Sequence, residues 1–134
     1  MRISIFGLGY VGAVCVGCLS KRGHEIIGVD VSQVKIDLIT SGKSPIVEPG
    51  LDELLQEGVS SGRIRGTTNV ASAIQQSDIS FLCVGTPSKK NGDLDLSYVE
   101  SVCRQIGAQL KSKSSRHTIV VRSTILPGTI RNVV

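Results

Sequence analysis

At 134 residues the chain has room for one domain. It is 40% hydrophobic but has no Trp, two Phe and two Tyr, so its core must be aliphatic, which suits a parallel sheet covered on both faces. A formal charge of +4 does not make a nucleic-acid surface: the densest basic run, Lys111 to Arg116, has no aromatic neighbour for a base and reads as a solvated helix end.

The first strand is expected over Ile3–Phe6, three of whose four residues are large and apolar. Gly7-Leu8-Gly9-Tyr10-Val11-Gly12 follows at once, then a small-residue helix over Ala13–Leu19. Strand, glycine turn and helix form the context in which Gly-x-Gly-x-x-Gly binds a dinucleotide. Gly7 permits the tight turn, Gly9 lets a pyrophosphate approach the backbone, and Gly12 lets the helix lie close to the sheet. The helix N-terminus then offers free N–H groups to phosphate.

Ile3 to Ser20 carries no charge, a length near that of a membrane span. Four glycines interrupt it, with Ser4, Tyr10 and Ser20, so no membrane or secretory role is read here and a cytoplasmic location is expected. Cys15 and Cys18 form a C-x-x-C inside the helix rather than at its start, and Cys83 and Cys103 stand apart in sequence. Neither a zinc site nor a dithiol site is expected, and the thiols read as small packing residues.

A second strand, closed by an acid, runs through Ile26–Val29 to Asp30. Asp30 lies roughly 20 residues past the glycines, where a carboxylate accepts hydrogen bonds from the adenosine ribose. The alternative is a simple cap on the next helix, expected over Val31–Thr40 with Ser32 as cap and Val31, Val34, Ile36, Leu38 and Ile39 apolar. Lys35 places an ammonium near the adenosine end. A cation there points to a 2′-phosphate, but Asp30 would repel one, so the expected cofactor is NAD rather than NADP.

Lys43–Gly50 reads as a rigid loop, Leu51–Gly58 as a helix, Arg63–Thr68 as an edge strand and Val70–Gln76 as a brief helix. Ser80–Val84 is a continuous apolar strand ending in Gly85-Thr86-Pro87. Asp93 and Asp95 lack the further ligands of a calcium loop; Asp95 is expected to cap a helix over Leu96–Lys111 that buries Val99, Val102, Cys103, Ile106 and Leu110. A fifth strand, His117–Arg122, leads into Ser123-Thr124 and a turn at Leu126–Thr129. His24 and His117 both begin strands, away from the ligand end, and read as structural.

This alternation predicts an α/β fold, a Rossmann-like doubly wound parallel sheet of order 3-2-1-4-5. The cleft then opens at the carboxyl ends of strands one, four and five, where the glycine turn, Thr86 and Thr124 converge. Either threonine has a simple strand-end cap as its alternative reading. The sixth strand of such a sheet is missing and no catalytic constellation is visible. Residues 1–134 are therefore expected to be the N-terminal cofactor domain of a larger enzyme, incomplete at its C-terminal end and inactive alone.

The motifs together resemble the nucleotide-sugar 6-dehydrogenases, the UDP-glucose and GDP-mannose dehydrogenases. The matching pieces are Ile5 to Gly12, Gly28-Val29-Asp30 with Lys35, Glu48 to Leu51, Gly85-Thr86-Pro87 with Asp93 and Asp95, and Arg122-Ser123-Thr124 before Pro127-Gly128-Thr129. Lys43–Gly50 and Gly85–Leu96 resemble most the GDP-mannose branch that serves alginate synthesis. The resemblance implies four-electron oxidation of the sugar C6 alcohol by two NAD, through a cysteine thiohemiacetal and thioester outside this stretch. It implies that Tyr10, Val11, Asp30, Lys35, Thr86 and Thr124 contact NAD, with Thr124 near the reacting carbon, and that the full-length enzyme is a homo-oligomer. GDP-mannose is the expected substrate. The alternatives are UDP-glucose, which nothing in this half discriminates, and a module that binds NAD(H) without catalysis.

Overall fold

The computed structural model describes residues 1–134. Five strands form one parallel sheet in the order β3-β2-β1-β4-β5. They are β1 (Arg2–Phe6), β2 (Glu25–Val29), β3 (Ile64–Thr67), β4 (Ile79–Leu82) and β5 (Thr118–Val121). The helices between them are α1 (Tyr10–Lys21), α2 (Gln33–Thr40), α3 (Leu51–Ser60), α4 (Val70–Gln75) and α5 (Ser97–Leu110), with a single turn, α6 (Thr129–Asn132), after β5.

Successive strand residues point to opposite faces, and both faces are covered, so the inner strands are mostly apolar, with Ser4 and Ser80 buried between them. Ile3, Ile5, Ile26 and Ile64 pack on one face against Ala13, Cys15 and Val16 of α1, Ile36 and Ile39 of α2, and Leu51 and Leu55 of α3. Phe6, Ile27, Val29 and Leu82 pack on the other against Ala73 and Ile74 of α4 and Ile106 of α5. The strand order changes direction between β1 and β4, which pair in register from Ile3 with Ile79 to Phe6 with Leu82. That switch point locates the cleft.

Several expectations need revision. Helix α1 begins at Tyr10 rather than Ala13, because Gly9 already sits at the N-cap. Val31 and Val34 are exposed, and Ile36 and Ile39 alone are fully buried in α2. Ser32 occupies the N-cap position of α2 without a side-chain cap; the Asp30 carboxylate accepts the Ser32 N–H instead, at 2.9 Å. Cys18 is exposed rather than packed. Lys113, expected in a solvated run, donates its ammonium to the carbonyls of Ile74 and Ser77 at 2.6 and 2.8 Å, a favourable cation at the end of α4. In α5, Val99 and Ile106 are buried while Val102, Cys103 and Leu110 are half-buried.

Away from the cleft, His117 caps a buried hydroxyl chain. Its Nε2 lies 2.8 Å from Ser80 Oγ, and Ser80 Oγ lies 2.6 Å from Ser4 Oγ. Ser77 Oγ donates to the Ala73 carbonyl at 2.7 Å. Burial holds the imidazole below its usual value of 6.5, and the neighbouring Lys113 charge adds to this. The folded state thus favours neutral His117. That stability is fully present above pH 6.5 and is lost as pH falls through the lower folded value. Thermal melts between about pH 7.5 and about pH 5 should show His117→Gln losing less stability on acidification than wild type. Parallel slopes in the two proteins would remove His117 from the acid response.

Candidate dinucleotide site

The turn after β1 is built by three glycines with different physical demands. Gly7 adopts φ +93°, and its N–H donates to the Val29 carbonyl at 2.8 Å, carrying the β1–β2 ladder into the turn. A methyl at Gly12 would lie 1.8 Å from the Gly7 carbonyl oxygen. Gly12 therefore lets α1 close onto its own turn as well as toward the sheet. Around Gly9 no atom lies within 4 Å of where a methyl would sit, so open space stands where the backbone is most approachable. The N–H groups of Tyr10 and Val11 have no protein acceptor and carry the positive end of the α1 dipole.

Asp30, at the end of β2, is the carboxylate of the site. Its side chain is only 8% exposed. Oδ2 accepts the Leu8 N–H at 2.7 Å and Oδ1 accepts the Ser32 N–H at 2.9 Å. Lys35 Nζ stands 3.5 Å from Oδ2. Both carboxylate oxygens keep further lone pairs for a donor from the cleft. Cap and ligand-acceptor readings of Asp30 are thus compatible, since two backbone bonds fix the carboxylate without exhausting it.

The cleft has a volume of about 430 Å³. Gly7, Gly9, Asp30 and Lys35 line it, so four of the sequence-selected residues meet there. Gly12 lies behind the turn, and Tyr10 and Val11 stand 58% and 40% exposed at its rim. Thr86 and Thr124 lie outside the walled part of the cleft, beyond the ends of β4 and β5. They are joined, with Thr86 Oγ1 donating to the Thr124 carbonyl at 2.7 Å.

Sequence reasoning missed one wall. Tyr98, Ser101, Val102 and Gln105 of α5 line the cleft together with Val31. Their spacing is helical and flanks the buried Val99–Ile106 stripe, which is the signal that was available. Two further contacts were not foreseen. The Tyr10 hydroxyl donates to a Glu48 carboxylate oxygen, clasping the 43–50 loop to the start of α1, and this bond raises the Tyr10 pKa. Cys83 is not isolated: it packs with Cys15 in one core cluster, and Arg122 Nη1 donates to Cys15 Sγ at 3.2 Å.

An apolar slot with a fixed carboxylate at one end, a helix N-terminus in the middle and hydroxyls beyond is the layout of a dinucleotide-binding dehydrogenase domain. Residues 1–134 match the model of the UDP-glucose/GDP-mannose dehydrogenase family, NAD binding domain. The chain belongs to this family, and its cofactor is NAD. It is 72% identical to GDP-mannose 6-dehydrogenase of Pseudomonas syringae pv. syringae over all 134 residues, which cover 31% of that protein. It is 41% identical to UDP-glucose 6-dehydrogenase of Rhizobium meliloti over 130 residues, 96% of this chain and 29% of the relative. Among solved structures, a ternary complex of GDP-mannose dehydrogenase from Pseudomonas aeruginosa superposes with a TM-score of 0.98 at 71% identity, covering 99% of this chain and 30% of that one. The chain thus spans under a third of the length of these relatives.

The glycines separate folding from binding. Gly9→Ala, in open space and with an extended backbone, should leave the melting temperature within experimental error while weakening NADH at least about tenfold, the scale of a lost close backbone–phosphate approach. Gly12→Ala should lose about 3 kcal/mol of stability, the upper range for overpacking. Denaturant unfolding and NADH fluorescence titration read both. A Gly9→Ala protein that binds NADH normally would place the diphosphate elsewhere.

Proposed function

We propose that the chain is the N-terminal cofactor domain of an enzyme that oxidises the C6 alcohol of GDP-mannose to the carboxylate of GDP-mannuronate, reducing two NAD. The observation that carries the choice of sugar is the contrast in likeness: 72% identity to a GDP-mannose 6-dehydrogenase against 41% to a UDP-glucose 6-dehydrogenase. UDP-glucose is the second reading, because a UDP-glucose 6-dehydrogenase matches over 96% of the chain. A module that binds NAD(H) without turnover is the third.

NAD supplies hydride acceptance when bound. The chain's own residues bind and orient it. Asp30, held by Leu8 and Ser32, accepts from the adenosine ribose, and Lys35 beside it balances the charge. This arrangement disfavours a 2′-phosphate, which would meet the fixed carboxylate. Val31 and the α5 wall enclose the adenine end. The N–H groups of Tyr10 and Val11 face the diphosphate, with Gly7, Gly9 and Gly12 giving it access. Thr86 and Thr124 mark the nicotinamide end, Thr124 nearest the reacting sugar carbon.

The covalent chemistry, by a cysteine thiohemiacetal and thioester, belongs to residues outside these 134. No acid–base pair or catalytic thiol is assigned within them, and we expect no turnover by the chain alone. At full length we read the enzyme as a cytoplasmic homo-oligomer that supplies an alginate precursor from GDP-mannose, with NAD as the oxidant. No helix of the structure is long and apolar enough to cross a membrane.

The test is NADH production by the full-length protein, offered GDP-mannose and UDP-glucose in parallel. Turnover of GDP-mannose with two NADH per sugar is the expected result. Turnover of UDP-glucose alone would move the chain to the other branch of its family. Absence of both, with NADH still bound, would leave a binding module.

A further inference from the structure

Beneath the glycine turn lies a thiol pair that cofactor binding does not use. Cys15 projects from the inner face of α1, and Cys83 follows β4; the two are 5% and 8% exposed and share one core cluster. A methyl at Gly12 would lie 3.5 Å from Cys83 Cβ. Cys15 is three residues further on, on the same helix face. The close approach that Gly12 permits therefore brings the Cys15 and Cys83 side chains together. The neighbouring Cys83 thiol lowers the Cys15 pKa, and the Arg122 guanidinium, whose Nη1 donates to Cys15 Sγ at 3.2 Å, acts in the same direction while burial opposes it. The same contact raises Cys83. One sulfur thus lies against a guanidinium, with a second thiol in the same cluster, the kind of surrounding that favours a thiolate.

The pair is also connected to the cleft. Cys83 is part of the cleft lining, whereas Cys15 lies behind it. The Cys83 carbonyl and the Val84 Cα stand 2.9 and 3.0 Å from the place of a methyl on Gly7, and the Cys83 N–H donates to the Phe6 carbonyl at 2.8 Å. The end of β4 is therefore packed directly against the phosphate-facing turn.

We propose that Cys15 and Cys83, with Arg122, form a peroxide-reactive dithiol site behind the wall that Cys83 gives the cofactor cleft, and that closing its disulfide lowers affinity for NAD. The Cys15 thiolate attacks one oxygen of a small hydroperoxide, the O–O bond breaks, and the alkoxide or hydroxide leaves with a proton. Cys15 becomes a sulfenic acid. The Cys83 sulfur then attacks it, the S–O bond breaks, and water leaves with the Cys83 proton. Overall, two thiols and one hydroperoxide give a disulfide, an alcohol or water, and water. An S–S bond of about 2.05 Å is far shorter than a contact between two thiols. Forming it draws the end of β4 toward α1 and disturbs the packing on Gly7. The effect on affinity rests on NAD occupying this cleft.

The experiment treats the full-length protein with hydrogen peroxide, with and without saturating NADH, then maps thiols by peptide mass and measures NADH affinity. The expected result is a Cys15–Cys83 bridge, two hydrogens lighter, and NADH affinity reduced about tenfold or more. Dithiothreitol restores it, and bound NADH slows the oxidation. In Cys83→Ser, a dimedone adduct at Cys15 should replace the bridge. The proposal is overturned if Cys15 and Cys83 stay reduced at doses that oxidise exposed Cys18. It is equally overturned if the bridge forms and NADH affinity is unchanged. The wild-type map needs no variant to fold. Failure of untreated protein to bind NADH would count against the cofactor reading, while the map would still decide the thiol chemistry.

Discussion

The Asp30 carboxylate joins the two halves of the cleft. One oxygen holds the Leu8 N–H in the turn after β1, and the other holds the Ser32 N–H at the start of α2. A carboxylate this buried is costly unless its oxygens are bonded, and each charge-assisted bond contributes about 1.5–3 kcal/mol. The turn, the end of β2 and the entry to α2 are thereby fixed relative to one another. The same fixed negative charge lines the cleft. A residue that organises the loops thus also faces the space between them.

The glycine turn depends on this frame and adds constraints of its own. Gly12 brings α1 against the Gly7 carbonyl, and Gly7 sits against the end of β4. Helix α1, β1 and β4 consequently form one rigid corner, with free N–H groups facing outward. The Tyr10–Glu48 clasp extends that corner to the 43–50 loop. The thiol pair lies inside the corner, with the Cys83 carbonyl packed against Gly7.

Much of this was legible in the sequence, for definite reasons. Strands buried on both faces appear as continuous apolar runs, so β1, β2 and β4 were visible, and right-handed crossovers left one strand order. The turn after β1 was legible because backbone geometry demands glycine at Gly7 and Gly12, and Asp30 because it closes the second apolar run at the end of β2. Contacts between distant side chains were not. Arg122 meets Cys15 across 107 residues and Tyr10 meets Glu48 across 38, and no local pattern encodes either. Apolar type alone did not tell which residues of the 31–40 stretch are buried, and Val34 stands exposed. Val31 also stands 98% exposed and lines the cleft, an apolar surface facing the ligand side rather than the core.

The central claim is that Asp30 fixes a cleft for NAD. Its most direct test is equilibrium titration of NADH and NADPH into the protein, with wild-type and Asp30→Ala side by side. The account predicts that wild type prefers NADH, and that Asp30→Ala loses about 1.5–3 kcal/mol of NADH affinity, the worth of a hydrogen bond to a charged group, together with that preference. Equal affinity of wild type for the two nucleotides, or an Asp30→Ala protein that binds NADH undiminished, would contradict it.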